Sequence, residues 1–318
     1  MKASIIIPIH NNASSLEKMI NAFLNQTVPS NSYEILFIND HSVDSSQDIL
    51  TKYNETENIK VHQNSRNMGP AYTRNVGIEN ATGKITIFFD GDMVPCPDFI
   101  EEHLNYHDEY PEREHVILGN VAYPPDLRIT PLMRLGNAAE RWIDIEKQQE
   151  YDYTYFMTGN ISLKREFLNN KFNTEIFSDI GFEDTELGYQ LYKKGMKIIY
   201  NSRAISYHYH FRSPEQYLAN VVRYGVSFAR WESSVGDKDI YLINRKAGLF
   251  CNWNDVFSIK GIKKLLRRLA INKLTAPLII FIAQYHEKRN ERLSFILYQK
   301  LYRHLFLKGY NYGKRIGL

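Results

Sequence analysis

Short apolar runs alternate with amphipathic polar stretches through the first half of the chain. Residues 3–9 (ASIIIPI), 33–40 (YEILFIND), 59–64 (IKVHQN) and 84–89 (KITIFF) are rich in β-branched and aromatic side chains and predict strands. Between the first two lies SSLEKMINAFLNQT, where Leu16, Met19, Ile20 and Phe23 fall on one helical face behind a capping Ser14 or Ser15. SSQDILTKYN (45–54) predicts a second helix, and PAYTRNVGIENA (70–81) a third with Pro70 in its first turn. Strands that alternate with helices in this way predict βαβ units around a mainly parallel, Rossmann-like sheet flanked by helices. Beyond Pro95 and Pro97 the pattern is coarser: GNISLKREFL reads as a strand running into a helix, EDTELGYQLYKKG as a helix and KIIYNSRAISYHYH as a strand. From residue 214 the pattern turns to long helical segments, PEQYLANVVRYGVSFARWES and IKGIKKLLRRLAINKL. The expected domains are therefore 1–213, an α/β body, and 214–318, a mostly helical extension.

Charge sharpens that division. The chain of 318 residues carries a formal net charge of only +3, yet residues 251–318 hold 14 Lys/Arg against three Asp/Glu, leaving 25 against 33 in the rest. In the segment 259–274, Ile262, Leu265, Leu266, Leu269 and Ile271 oppose Lys263, Lys264, Arg267 and Arg268, the pattern of a basic amphipathic helix. The expected partner is an anionic membrane surface or another subunit in a homo-oligomer. No nucleic acid is expected, because these cations share helices with large apolar faces. The amino terminus lacks the pattern of a signal peptide, and the run LTAPLIIFIA is about half of what crosses a bilayer. Cys96 and Cys251 fit neither a disulfide framework nor a zinc site. These readings place the protein in the cytoplasm, peripherally on the inner face of the membrane if the basic extension binds lipid.

Candidate chemistry collects after the strands. In parallel α/β sheets ligands sit beyond the carboxyl ends of the strands. Here those ends supply Pro8, His10 and Asn11, then Asn39, Asp40 and Ser42, then Asn67 and Gly69, and finally Asp90, Gly91 and Asp92. Asp-Gly-Asp by itself is the composition of a polar turn. Two carboxylates on one short turn repel unless a cation shares their charge, and an all-oxygen donor set suits Mg²⁺ or Mn²⁺ with positions left for phosphate. Arg74, one turn into the third helix, suits a diphosphate or a nucleobase edge, although a lone helical Arg is ordinarily a solvated surface residue.

Four ordered segments, SIIIPIHNN, EILFINDHSVDSS, NMGPAYTRNVGIENATGKITIFFDGD and GFEDTELGYQLYKKG, resemble the family 2 inverting glycosyltransferases of GT-A fold, over about residues 1–213. The resemblance implies a nucleotide-sugar donor, most simply a UDP-sugar, and a divalent metal at Asp90 and Asp92. It implies that Asp40 receives the N3 hydrogen of uracil, that Pro8 and His10 line the other side of the base, and that Asn67 and Arg74 contact the nucleoside. It also places Gly159 and Asn160 beside the donor sugar or acceptor. Where family members commonly carry Asp-Asp-Gly-Ser, this chain has Asn39-Asp40-His41-Ser42.

An inverting transfer needs a base on the attacking hydroxyl and a neutralised leaving group. Asp184, at the start of an evident helix, is the expected base and Glu183 the residue that orients the acceptor. The bland alternative is that both simply face the helix dipole. In many family members a His follows the Glu-Asp pair and joins the metal; His208 matches best, with His210 two residues on as the alternative. The expected reaction transfers a sugar to a hydroxyl of a glycan, a lipid-linked glycan or a glycoprotein. A sugar-phosphate nucleotidyltransferase is the competing enzyme, but PIHNNASSL offers neither glycine nor cation for a triphosphate. A noncatalytic membrane-surface protein is the third reading.

Overall fold

A computed structural model describes residues 1–125, 127–136, 151–209, 213–235, 271 and 275–316. They fall in two compact units, one within Met1–Leu127 and Arg141–Phe211, the other within Arg128–Glu140 and Arg212–Leu318.

In the first unit, β1 (Ala3–Ile9), β2 (Tyr33–Asn39), β3 (Ile59–Gln63) and β4 (Ile85–Phe89) are mutually parallel in the order β3-β2-β1-β4. Every residue of β2 and all but Pro8 of β1 are buried, so these strands read as continuous apolar runs. The sheet continues through β7 (Asn160–Lys164), β6 (His115–Ala122), β8 (Lys197–His208) and the short β5 (Met93–Pro95), for eight strands among the described residues. β7 runs antiparallel to β4 and β6, β6 parallel to β8, and β5 antiparallel to β8.

Helix α1 (Ala13–Leu24) buries Leu16, Met19, Ile20 and Phe23, the four residues that its spacing singles out. Phe23 meets Phe89 edge to face at 5.0 Å, and Phe89 meets Phe99 of α4 (Phe99–Glu109) at 5.2 Å. This aromatic cluster fixes the strand that ends in Asp90. Helix α2 (Ser46–Thr51) is short. Helix α3 (Pro70–Asn80) behaves differently, since its buried face is largely polar and carries Thr73, Arg74 and Asn75. That face looks onto the carboxyl edge of the sheet. After β7 the chain makes a turn rather than the expected helix: Phe167 and Leu168 donate back to the carbonyl of Lys164 and no helix follows. Helix α6 (Glu183–Tyr192) opens on the two acids singled out from sequence.

The second unit contains α5 (Pro131–Gly136), α7 (Pro214–Val235), α8 (Thr275–His286) and α9 (Glu291–Arg315). α7 and α9 cross at backbone contact: a Cβ built at Gly225 would overlap the carbonyl of Phe306, and one at Gly309 that of Val222. Small residues at the crossing let Phe228, Trp231 and Phe306 bury their rings around it. Of the basic amphipathic stretch 259–274, only Ile271 lies among the described residues.

Candidate active site

Asp40, the residue after β2, is buried and organises the loop after β3. Its Oδ1 accepts from the backbone amide of Met68 at 2.8 Å and from Asn64 Nδ2 at 2.8 Å, and its Oδ2 accepts from the amide of Gly69 at 2.9 Å. A carboxylate has about four acceptor positions, so one remains for a ligand N–H. The carbonyl oxygen of Asp40 takes a hydrogen bond from His10 Nδ1 at 2.8 Å. Because that oxygen can only accept, the ring presents Nε2 as acceptor to Asn67 Nδ2 at 3.2 Å and Asn11 Nδ2 at 3.1 Å. His10, Asp40 and Asn67 are thereby one hydrogen-bonded cluster, with Pro8 a half-buried neighbour on β1. The neighbouring Asn39 closes its turn by accepting from the amide and hydroxyl of Ser42. Asn11 and His41 both sit at φ 56°, a left-handed conformation unusual for residues with a Cβ.

At the end of β4, Asp90 and Asp92 turn to different partners. Asp90 Oδ1 receives Arg74 Nη2 at 2.8 Å, and the same guanidinium reaches Glu183 Oε1 through Nη1 at 3.2 Å. Arg74 is buried and stacks toward Phe172 at 5.7 Å, so its charge is held among carboxylates in a poorly solvated place. It joins the aspartate turn to α6 rather than to the His10 cluster. Gly91 has no positive φ; its need for glycine is one of space, because a Cβ there would stand 2.7 Å from the Pro8 carbonyl oxygen. Gly159 presses on the same turn, a Cβ there lying 3.1 Å from Asp90 Oδ2.

Glu183 and Asp184 enter α6 through two successive left-handed residues, Gly181 at φ 105° and Phe182 at φ 68°. Such a conformation is costly for a bulky side chain, and it sets both acids at the helix start beside Arg74. The Gly181 amide donates to Glu183 Oε2 at 2.8 Å, and Asp184 Oδ1 accepts from the Thr185 amide at 2.7 Å. Burial pushes the Glu183 carboxyl up to about 7, with the Asp184 charge adding to the rise and Arg74 opposing it. Asp184 is likewise raised, by burial first and also by Asp90, against the pull of Arg74.

Asp92 and His208 meet across the β5–β8 ladder, where Met93 pairs with His208 and the Tyr209 amide donates to the Asp92 carbonyl at 2.9 Å. His208 Nε2 stands 3.4 Å from Asp92 Oδ1. Two atoms at octahedral bonding distance from one small cation are about 3 Å apart, so this pair fits as two ligands of one ion with little movement. Among the described residues no group of three or more His, Cys, Asp or Glu side chains converges on a single point. His210 lies outside the described residues. Asn160 is turned into the sheet: its Nδ2 donates to the carbonyls of Asn120 and Ala204 and to Ser206 Oγ, and its Oδ1 accepts from His103 Nε2 at 2.9 Å.

The carboxyl edge of the sheet thus carries the hydrogen-bonded cluster of His10, Asp40 and Asn67, and Arg74 ties Asp90 there to the acids that open α6. The family model for "Glycosyl transferase family 2" matches residues 4–172, just over half of the chain and the strands from β1 to β7 but for Ala3. The chain belongs to glycosyl transferase family 2. Among its relatives is glycosyltransferase AglE of Haloferax volcanii, 33% identical over 103 residues; that match covers 32% of this chain and only 34% of the relative. A Methanococcus voltae enzyme, a dolichyl N-acetyl-glucosaminyl phosphate diacetamido-dideoxy-glucuronosyltransferase, is 26% identical over 239 residues, 70% of this chain and 72% of its own. Solved structures agree in fold. Staphylococcus aureus TarS 1–349 in complex with UDP covers 100% of this chain and 92% of its own at a TM-score of 0.56 and 18% identity. The mannosyltransferase PcManGT of Pyrobaculum calidifontis, with GDP-Man and Mn²⁺, covers 98% of this chain and 87% of its own at 0.64 and 15%. The protein is a family 2 glycosyltransferase of GT-A fold.

For this glycosyltransferase, sequence reasoning passed over Asn64, Phe172 and Phe182. Asn64 is buried and links Asp40 to Thr73 of α3. Nothing at the polar end of the strand 59–64 marks that Asn as internal. The glycine before Phe182 was the available signal for the turn that places the acids.

Proposed function

We propose that the enzyme transfers a sugar, with inversion, from a UDP-sugar to a hydroxyl of a glycan, a lipid-linked glycan or a glycoprotein. The observation that carries this reading is that α3 holds both groups, Thr73 reaching Asp40 through Asn64 and its neighbour Arg74 reaching Asp90 and Glu183, which suits a nucleotide-sugar with its base at Asp40 and its reacting carbon at the acids. Pro8 and His10 line the base, Asp40 accepts from its ring N–H and Asn67 holds the nucleoside edge. Gly159 leaves room for the donor sugar above Asp90, and Asn160 supports that wall from within the sheet.

Asp92 and His208 would hold the divalent ion, with Asp90 beside them committing one oxygen to Arg74. A mixed oxygen and imidazole set favours Mn²⁺ over Mg²⁺. Held there, the ion would supply charge neutralisation to the departing diphosphate. Asp184 takes the proton of the acceptor hydroxyl as its oxygen bonds to the anomeric carbon and the bond to the diphosphate breaks. Glu183 orients the acceptor, and Arg74 keeps the two acids and Asp90 in mutual register. The PcManGT complex, which contains Mn²⁺, supports metal use, and the TarS complex with UDP supports the donor class.

Incubation with a panel of UDP- and GDP-sugars, with and without Mn²⁺, tests the reading by release of nucleoside diphosphate. UDP release from at least one UDP-sugar is expected, since slow hydrolysis accompanies transfer. Pyrophosphate formation from a sugar phosphate and UTP would mark a nucleotidyltransferase instead. The same reading places the enzyme at the cytoplasmic face of a membrane, held by its basic carboxyl-terminal region.

A further inference from the structure

Helix α8, TAPLIIFIAQYH, carries no charged residue before His286, yet Ala283 alone among its residues is buried. Leu278 is 58% exposed, Phe281 65% and Tyr285 51%. At 3.6 residues per turn these three fall within about 60° of arc, so they form one stripe along the helix. A contiguous exposed stripe of this kind marks a contact surface rather than scattered surface apolar residues. The helix, at about 18 Å, is too short to cross the hydrocarbon core of a bilayer. No helix among the described residues is long and apolar enough to do so.

Cations frame the stripe at its carboxyl end. Arg289 lies over the Tyr285 ring at 4.0 Å, and Lys288 and Arg292 are exposed beside it. The neighbouring acids are occupied within the unit: Glu287 accepts from Tyr298 at 2.8 Å, and Glu291 pairs with Arg134 at 3.6 Å and Arg128 at 3.8 Å. Lys288, Arg289 and Arg292 form no ion pair among the described residues. Net positive charge therefore sits beside exposed Leu, Phe and Tyr, with the Tyr and Arg at the polar end.

We infer that the α8 stripe, Leu278, Phe281 and Tyr285 with Lys288, Arg289 and Arg292, lies in the headgroup layer of an anionic membrane. An interfacial helix has these features: an apolar face sunk at the acyl boundary, an aromatic ring at the polar level and cations toward anionic headgroups. A second copy of the chain fits less well. An isologous contact through the stripe would bring each cluster of three cations toward its own copy, so that like charges face each other. The inference deepens the membrane placement in the proposed function and specifies which residues make it, without depending on the donor.

The test is flotation of the full-length protein with vesicles of phosphatidylcholine, and of phosphatidylcholine mixed with phosphatidylglycerol, at low and high salt. Binding to the mixed vesicles alone is expected, weakening with salt. L278S/F281S should lose about tenfold or more in vesicle affinity, and K288E/R292E should lose the salt-sensitive part. Both should keep the wild-type circular dichroism and rate of nucleoside diphosphate release, since α8 is outside the catalytic unit. Undiminished flotation of L278S/F281S, equal binding to neutral vesicles, or no binding by wild type would overturn the inference. So would a wild-type dimer that L278S/F281S converts to monomer, which would assign the stripe to a second copy. Absence of donor turnover in wild type would count against the proposed reaction and leave the lipid contact standing.

Discussion

Arg74 and Asp90 are joined by a 2.8 Å ion pair, and the other Arg74 nitrogen reaches Glu183 at 3.2 Å, so one buried guanidinium ties the aspartate turn of β4 to the start of α6. Lysine offers the charge without the planar fork. R74K should therefore keep the fold while lowering turnover by about tenfold or more, because a point charge serves one carboxylate at a time. R74A leaves buried carboxylates uncompensated and should cost about 3–5 kcal/mol of stability. Denaturant melts and steady-state kinetics of the two variants check this; equal turnover of R74K and wild type would refute the coupling.

Asp92 and His208 face each other at 3.4 Å on paired strands, and the metal reading turns on them. D92N and H208A should each weaken Mn²⁺ binding by about tenfold to a hundredfold, measured directly by the EPR signal of free Mn²⁺. D90N should weaken it less, since Asp90 already gives one oxygen to Arg74. Equal loss in all three would mean that Asp90 leaves Arg74 to become a full ligand.

Burial raises the carboxyls of Glu183 and Asp184, the former to about 7. A base must be unprotonated to act. With the base Asp184 raised, activity should fall as pH drops at values above the ordinary carboxylate range, and protonation of Glu183 near 7 should add to that fall. The acidic limb of kcat/KM against pH reports it in the free enzyme, and E183Q should shift that limb downward by removing the carboxyl that titrates near 7. A limb that stays near 4 would show that neither carboxyl is perturbed.

A second buried network predicts acid sensitivity of the fold. Lys164 Nζ approaches His107 Nδ1 at 3.3 Å, Ser162 Oγ lies 2.9 Å from His107 Nε2 and 2.8 Å from His103 Nδ1, and His103 Nε2 meets Asn160. Burial holds His103 down to about 4, while for His107 burial and then Lys164 hold it down to about 3. Both are neutral when folded and take a proton near 6.5 when unfolded. Stability is thus full above about 6.5 and is lost as pH falls toward 4, by about 3 kcal/mol for each ring. Melting temperature against pH checks this, and H107Q should flatten the slope.

Much of the sheet and the carboxyl-edge cluster was legible because apolar spacing decides both. Leu16, Met19, Ile20 and Phe23 recur at the helical period and are buried. Asp40, Asp90 and Asp92 follow apolar strands and therefore share an edge. What escaped was decided by contacts between distant segments. α3 has no apolar face to find, because its buried side holds Thr73, Arg74 and Asn75. The resemblance sets Asn160 beside the donor sugar or acceptor, and the sequence does not show that its amide bonds Asn120, Ala204, Ser206 and His103, partners 40 or more residues away. His41 occupies a left-handed position where the family usually has glycine, which explains that preference only once φ is known.

The central claim is that Asp184 is the base that activates the acceptor, and D184N separates that role from nucleotide binding. Asn keeps the shape but cannot accept the proton, so UDP affinity by calorimetry should stay within about twofold of wild type while transfer falls by about a hundredfold to ten-thousandfold. Loss of UDP binding in D184N, or transfer that continues at the wild-type rate, would contradict the account.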